Sequence, residues 1–445
     1  MSRLAAVFEN LPVALQQVAC HVEGWRIARH RYGGDFAGLL RAVEARTYWT
    51  PEQMDEYQAW RLATFLEHAR RHAKHYAGQS RSEPWPVLEK RAVQERTADF
   101  EARGYDPGGQ QGAVQWAHTS GTTGAGLRFP VTRRAHQEQW AIWWRYRHWH
   151  GIAVETWCGY FGGRMVVPLA TGEAPYWRDN APGRQILFSG QHLREETLPY
   201  YVAELRRRQP PWLHGYPSLL ALVAGYLVSR GEDLGYRVQW VTTGAENLLP
   251  HQARLLERAF GVRPRQHYGM AEGAANISEC ELGHLHVDED FSVVEFLPAE
   301  EGDVYRVIGT NFTNLAMPLV RYDVGDRVRL GPLRCDCGRP GRVVESIDGR
   351  SEDYLWLGDG TRLGRLDHIF KDATRVREAQ IVQRARGEMT LRVVRGAGFA
   401  EDDERQLLAE TRYRVGEAMR VELEYVDRIE RTATGKLRLV VSEVA

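Results

Sequence analysis

The chain has no excess charge of either sign, no apolar run of membrane length and too few cysteines for a disulfide framework. Each absence excludes a class of function. Lys plus Arg equal Asp plus Glu at 58 each, so no net positive field exists to hold a polyanion, and nucleic acid is not an expected partner. The longest apolar run, Leu219 to Val228, is far short of the roughly 20 residues that span a bilayer. Glu9 and Asn10 stand where a signal peptide needs apolar residues, so a cytoplasmic protein without a membrane partner is expected. Five cysteines in 445 residues read, where clustered in a reducing compartment, as metal ligands or catalytic groups. Cys20 and Cys158 stand alone and read as small buried residues.

What is present is the composition of a soluble globular protein, 43% hydrophobic and 26% charged, long enough for several domains. Near the start, Met54, Tyr57, Leu62, Phe65, Leu66 and Ala69 draw one apolar stripe at helical spacing, and residues 1–110 read as a mostly helical start. From about Gln115 to Leu330, short apolar runs such as Gln239-Trp240-Val241 alternate with helical stretches such as His251 to Phe260. That is the rhythm of strand and crossover helix in an α/β sheet, which places motifs on loops at strand ends. After Gly349 the texture changes to Gln380-Ile381-Val382, Leu391 to Val394, a polar helix near Glu401 to Met419, and Val421 to Val426. The fold class is therefore α/β, a large N-terminal domain over 1–349 followed by a small α+β domain over 350–445.

The sharpest local signal is Thr119-Ser120-Gly121-Thr122-Thr123-Gly124-Ala125-Gly126. Glycines let the backbone approach a ligand and turn N–H groups inward, and hydroxyls donate to phosphoryl oxygens, so such a loop can wrap phosphates. The Lys-Ser/Thr pair of a Walker A loop is absent. Further on come His267-Tyr268-Gly269-Met270-Ala271-Glu272, Arg321-Tyr322-Asp323-Val324-Gly325-Asp326, Asp348-Gly349-Arg350-Ser351-Glu352-Asp353 and Arg431-Thr432-Ala433-Thr434-Gly435-Lys436-Leu437-Arg438.

Taken in order, these motifs resemble the acyl-adenylate-forming superfamily, and within it the branch of phenylacetate-CoA ligases and CapK-like capsule-biosynthesis adenylyltransferases. The resemblance extends over nearly the whole chain, including Leu213-His214-Gly215-Tyr216-Pro217-Ser218 and Thr243-Gly244-Ala245-Glu246. It implies an ATP-dependent ligase that forms an acyl-AMP from a small acid, releases pyrophosphate and passes the acyl group to a thiol, coenzyme A foremost. Transfer to a carrier protein or to an amine would use the same first half, and a non-catalytic scaffold would need none of it.

The resemblance also implies roles. Thr119, Ser120, Gly121, Thr122, Thr123 and Gly124 lie on the triphosphate loop; Gly244, Ala245, Glu246, Tyr268 and Gly269 line the adenine; Asp326 accepts the ribose hydroxyls. Glu272 holds Mg²⁺, Arg350 contacts the nucleotide, Glu352 is the hinge, and Lys436 neutralises charge as carboxylate attacks the α-phosphate. Three positions depart from the pattern: Ala271 lacks the usual hydroxyl, Leu127 and Arg128 replace a lysine-glycine, and Glu352 replaces an aspartate.

A second constellation comprises Cys280, His284, His286, Cys335 and Cys337, with Cys335-Asp336-Cys337-Gly338 reading as a metal knuckle. Five candidates exist for the four places of a tetrahedral ion. The resembled branch selects Cys280, His286, Cys335 and Cys337 as a structural Zn²⁺ site. Trp143, Trp144, Tyr160, Phe161 and Trp212 lie near segments that could line an aromatic acid pocket.

Overall fold

The computed structural model describes residues 7–80, 85–104, 114–118, 127–299, 303–350, 355–358, 362–363, 366–370, 373, 375–396, 398–432 and 437–444, with the main chain alone at 118, 348–350, 362, 367–368 and 414. The chain divides into two compact units, one built from residues 1–25, 155–266 and 349–445, the other from 26–154 and 267–348.

In the first unit, strands Cys158–Gly162, Gln185–Ser189, Trp212–Gly215 and Trp240–Thr243 pair in parallel, with Trp177–Asn180 antiparallel at the edge. Helix Leu198–Arg208 joins Gln185–Ser189 to Trp212–Gly215, Pro217–Arg230 joins that strand to Trp240–Thr243, and Pro250–Phe260 leads on to the parallel strand Arg265–Gly269, as parallel pairing requires a crossover. Three of these helices start with Pro in the first turn, where its missing N–H costs nothing. Leu213, Leu219, Leu220, Val223, Leu227 and Val241 are buried between helices and sheet.

The same unit contains residues 349–445, which carry a four-stranded sheet in the order Arg420–Tyr425, Glu388–Arg395, Val376–Gln383, Val440–Ser442. Helix Glu401–Val415 crosses between the parallel neighbours Glu388–Arg395 and Arg420–Tyr425, over a core of its own that includes Phe370, Ile381, Leu391, Val393 and Leu407. The helix stops at Val415, short of the expected Met419, because Gly416 takes a φ of 80° and leaves the helical region.

In the second unit, helix Pro51–His72 is opened by a Thr50–Gln53 capping box. Its Met54, Phe65 and Ala69 are buried as the stripe predicts. The sheet of this unit is antiparallel from His267 onward. The strand-and-helix alternation expected up to Leu330 therefore ends at Phe260, because connections such as Cys280–His284 are too short to hold a crossover helix. Phe65, Phe100, Phe129, Ile277, Val307, Met317 and Tyr322 form its core. Among the described residues, no helix is long and apolar enough to cross a membrane.

Candidate active site and metal centre

In the second unit, the strand Tyr322–Leu330 carries a bulge: Ile308 pairs with Asp323 and Arg306 with Arg327, so three residues lie opposite one. Gly325 permits it with a φ of 83°, and its N–H donates to Asp323 Oδ1 at 2.9 Å. The bulge carries Asp326, whose Oδ2 accepts from the Tyr268 hydroxyl at 2.5 Å. Two motifs separated by 58 residues thus meet. Arg321 anchors the strand's start, with a φ of 50° and its guanidinium on Glu295 at 2.9 Å and on the Trp85 carbonyl at 2.5 Å.

Glu272 is buried, and its Oε1 faces the Tyr322 hydroxyl at 3.5 Å. Burial, and next the nearby Glu272 charge, push the Tyr322 phenol far up, so it remains a donor. The turn Met270–Gly273 is held from both sides: Gln139 donates to the Met270 carbonyl at 2.8 Å and Asn311 to the Glu272 carbonyl at 3.0 Å. Tyr268, Asp326 and Glu272 therefore share one framework, and Gly269 lies under the Trp143 indole.

Sequence reasoning missed the buried polar network that fixes this framework. Arg145 reaches Asp288 at 2.7 Å and Asp290 at 2.9 Å, and Arg46 reaches Asp290 at 2.6 Å. Asn276 and Ser278 donate to the other Asp288 oxygen at 2.6 and 2.7 Å, while Asn276 accepts from Trp143 at 2.9 Å. Burial pushes the Asp288 carboxyl up to about 6. Burial also acts on Asp290, but the Arg145 and Arg46 guanidinia outweigh it and hold that carboxyl below its usual value. Paired and hydrogen-bonded in this way, the charges satisfy the conditions for burial. Helix Arg133–Trp149 is so tied to the strand Asn276–Glu279. The Asp288-Glu289-Asp290 run was the only trace in the sequence.

Beside this network the Cys280, His286, Cys335 and Cys337 ligand atoms lie within 4.8 Å of one another. Cys280 Sγ is 3.9 Å from Cys335 Sγ, and Cys337 Sγ is 3.4 Å from His286 Nε2. Ligand atoms about 2.0–2.3 Å from a tetrahedral ion would be roughly 3.5–3.8 Å apart, so the set fits Zn²⁺. Cys280 and the Cys335–Cys337 pair each sit on a glycine turn: Gly283 and Gly338 take φ of 90° and 72° and donate to the Cys280 and Cys335 carbonyls at 2.9 and 3.1 Å. His286 Nδ1 is buried near the Pro340–Gly341 backbone. His284, exposed, puts Nδ1 3.0 Å from Cys335 Sγ and stands outside the four.

In the first unit, Gly215 and Gly244 lie at the carboxyl ends of parallel strands, where α/β sheets bind ligands. Ala245 takes a left-handed φ of 69° without being glycine, a strain that aims the next residue. That residue, Glu246, accepts from the Leu437 N–H at 2.7 Å and the Ser218 N–H at 3.3 Å. Burial raises its carboxyl above the usual range, against the Arg431 charge.

The aromatic candidates separate. Trp144, Phe161 and Trp212 are buried core residues, Phe161 stacked on Phe188 at 4.6 Å. Tyr160 and Trp143 are half-buried, the latter beside Gly269. Cys158 is buried and Cys20 half-buried. The expected roles of Thr119, Ser120, Gly121, Thr122, Thr123, Gly124, Glu352 and Lys436, and of the Arg350 side chain, lie outside the described residues.

Known proteins resemble this chain over most of its length. The CapK C-terminal domain family matches residues 357–443. Protein CapK of Staphylococcus aureus is 27% identical over 331 residues, covering 73% of this chain and 74% of that protein. A phenylacetate-coenzyme A ligase of Thermus thermophilus is 28% identical over 157 residues, 31% of this chain and 35% of that protein. Among solved structures, a 2-hydroxyisobutyryl-CoA ligase in complex with 2-HIB-AMP superposes with a TM-score of 0.59 at 18% identity, covering 98% of this chain and 91% of that one. The family model, the curated relatives and the solved structure agree: the chain is similar to CapK and, over about a third of its length, to a phenylacetate-coenzyme A ligase, and it shares its fold with a 2-hydroxyisobutyryl-CoA ligase.

Proposed function

We propose that this protein converts a small, aromatic carboxylic acid and ATP into an acyl-AMP and pyrophosphate, then transfers the acyl group to the thiol of coenzyme A. The observation that carries the reading is the Tyr268–Asp326 hydrogen bond beside buried Glu272. A carboxylate carried on a bulge has the two acceptor oxygens that a ribose diol's two donors match, and the adjacent phenol ring is of the kind that stacks on a purine.

Binding and orientation are the protein's part. Asp326 and Tyr268 would fix the nucleoside, and the hydroxyl-rich loop from Thr119 would hold the phosphates. The acid's oxygen then attacks the α-phosphorus as the bond to pyrophosphate breaks, with Lys436 neutralising the charge that develops. Glu272 would hold Mg²⁺, which when bound supplies charge neutralisation at the phosphates. Cys280, His286, Cys335 and Cys337 would hold Zn²⁺ as a closed, structural site. Trp143, half-buried beside Gly269, is the ground for proposing an aromatic acid.

The deciding experiment is ATP–pyrophosphate exchange with phenylacetate, benzoate and 2-hydroxyisobutyrate, repeated with coenzyme A and with amines as acceptors. No exchange with any acid would reject the activity. Asp326→Asn is expected to raise the KM for ATP about 10–100-fold, the worth of hydrogen bonds to a charged group, with melting temperature unchanged. An unaltered KM would remove Asp326 from the nucleotide site.

The second half-reaction requires the acceptor thiol to reach the acyl carbonyl, so residues after Glu352 should turn between steps. Proline at 352 would hold φ near −65°. Glu352→Pro is therefore expected to leave pyrophosphate exchange near wild type and to slow acyl transfer about tenfold or more. Equal slowing of both steps would place the hinge elsewhere.

A further inference from the structure

The last motif of the chain is tied down on both sides by residues remote in sequence. On its far side, the Leu437 N–H donates to Glu246 Oε1 at 2.7 Å, across 191 residues. On its near side, Arg431 donates to Ser218 Oγ at 2.7 Å and pairs with Glu378. The two ties share an anchor, because the Ser218 N–H donates to the other Glu246 oxygen at 3.3 Å. That N–H belongs to the first turn of helix Pro217–Arg230, whose unbonded amides favour a carboxylate.

Both oxygens of Glu246 thus have main-chain donors, one from the body of the unit and one from the C-terminal motif. The left-handed turn at Ala245 is what points the side chain there. Ser218 is buried and Arg431 half-buried, so these contacts are shielded from the screening that weakens surface pairs. The resemblance places Glu246 among adenine-lining residues; in the structure its carboxylate accepts from the Leu437 and Ser218 N–H groups.

We infer that Glu246 is a positioning residue for adenylation: its carboxylate anchors Leu437, the residue that follows Lys436 in the chain, to the first turn of helix Pro217–Arg230. The inference rests on the proposed adenylate chemistry and adds to it the side chain that secures the lysine's segment. The tie is a small one, two hydrogen bonds to one carboxylate, and it can be released when the second half-reaction needs the motif elsewhere. Its loss should affect the rate of adenylation, not the affinity for ATP, and should not slow acyl transfer.

The test compares Glu246→Ala, Glu246→Gln and Ser218→Ala in the full chain. With phenylacetate, benzoate and 2-hydroxyisobutyrate as probes, Glu246→Ala should lower the kcat of pyrophosphate exchange about 10–30-fold with the KM for ATP within about twofold. Thioester formation from supplied phenylacetyl-AMP should not slow. Glu246→Gln keeps an oxygen for the Leu437 N–H and should restore most of the rate, and Ser218→Ala should give a smaller loss of the same kind. A raised KM for ATP with kcat unchanged would return Glu246 to the adenine site and overturn the inference, as would equal loss of both half-reactions. Amide hydrogen exchange at Leu437 gives a readout independent of activity: protection should fall in Glu246→Ala, and unchanged protection would overturn the contact. Wild-type protein that exchanges pyrophosphate with none of the probes would instead reject the adenylation reading, leaving the amide measurement to decide the contact.

Discussion

Replacing Lys436 by alanine is expected to slow acyl-AMP formation about 10²–10³-fold, the usual worth of one oriented group that stabilises developing charge. Thioester formation from supplied phenylacetyl-AMP should proceed near the wild-type rate. The argument is electrostatic. Attack of a carboxylate on the α-phosphorus brings two anions together and releases a third, and a fixed cation at that point stabilises the transition state more than the separated reactants. When a thiol displaces AMP, charge develops instead at the acyl carbonyl oxygen. A lysine in an ordinary solvated tail would give no change in either step. The flanks of its segment are not ordinary tail, since Arg431 and Leu437 are bonded to Ser218 and Glu246. The measurement is pyrophosphate exchange alongside stopped-flow thioester formation. Loss of both steps in a folded variant would remove Lys436 from this role.

The second large effect concerns the metal. Purified protein is expected to carry about one zinc per chain by elemental analysis, and Cys335→Ser to lose it together with at least about 5 °C of melting temperature, because metal binding contributes folding free energy. His284→Ala should keep the metal, although His284 Nδ1 is 3.0 Å from Cys335 Sγ. This contrast separates the four-ligand set from its neighbour. Metal-free protein of full stability, or loss of zinc on removing His284 alone, would refute the assignment.

The elements that were legible in the sequence are those written in local spacing. The stripe from Met54 to Ala69 became helix Pro51–His72, and Trp240 lies in the parallel strand Trp240–Thr243. Residue chemistry narrowed the metal ligands to five, and geometry then closed four of them to within 4.8 Å. The illegible features depend on distant pairings. Arg145 and Asp288 are 143 positions apart, and no period or motif announces that they will share a buried ion pair. The bulge at Gly325 reads in sequence as a turn, because only the partner strand shows that the ladder continues on both sides of it. Glu246 looked like part of a nucleotide segment, and only the folded chain reveals Leu437 as its partner.

The interleaving of the two units governs how the polypeptide can be made. The stretch 26–154 shares its unit with 267–348, so Phe65, Phe100 and Phe129 must wait for Ile277, Val307 and Tyr322 to complete their core. At typical synthesis rates of roughly 5–20 residues per second, that delay is on the order of 10–40 s. During it a large apolar surface has no permanent cover on the ribosome, and chaperone occupancy is the natural safeguard. A gene truncated before residue 277 would leave that surface exposed for good. Fragments meant for expression are therefore better bounded after the strand Val343–Arg350 than inside the α/β body.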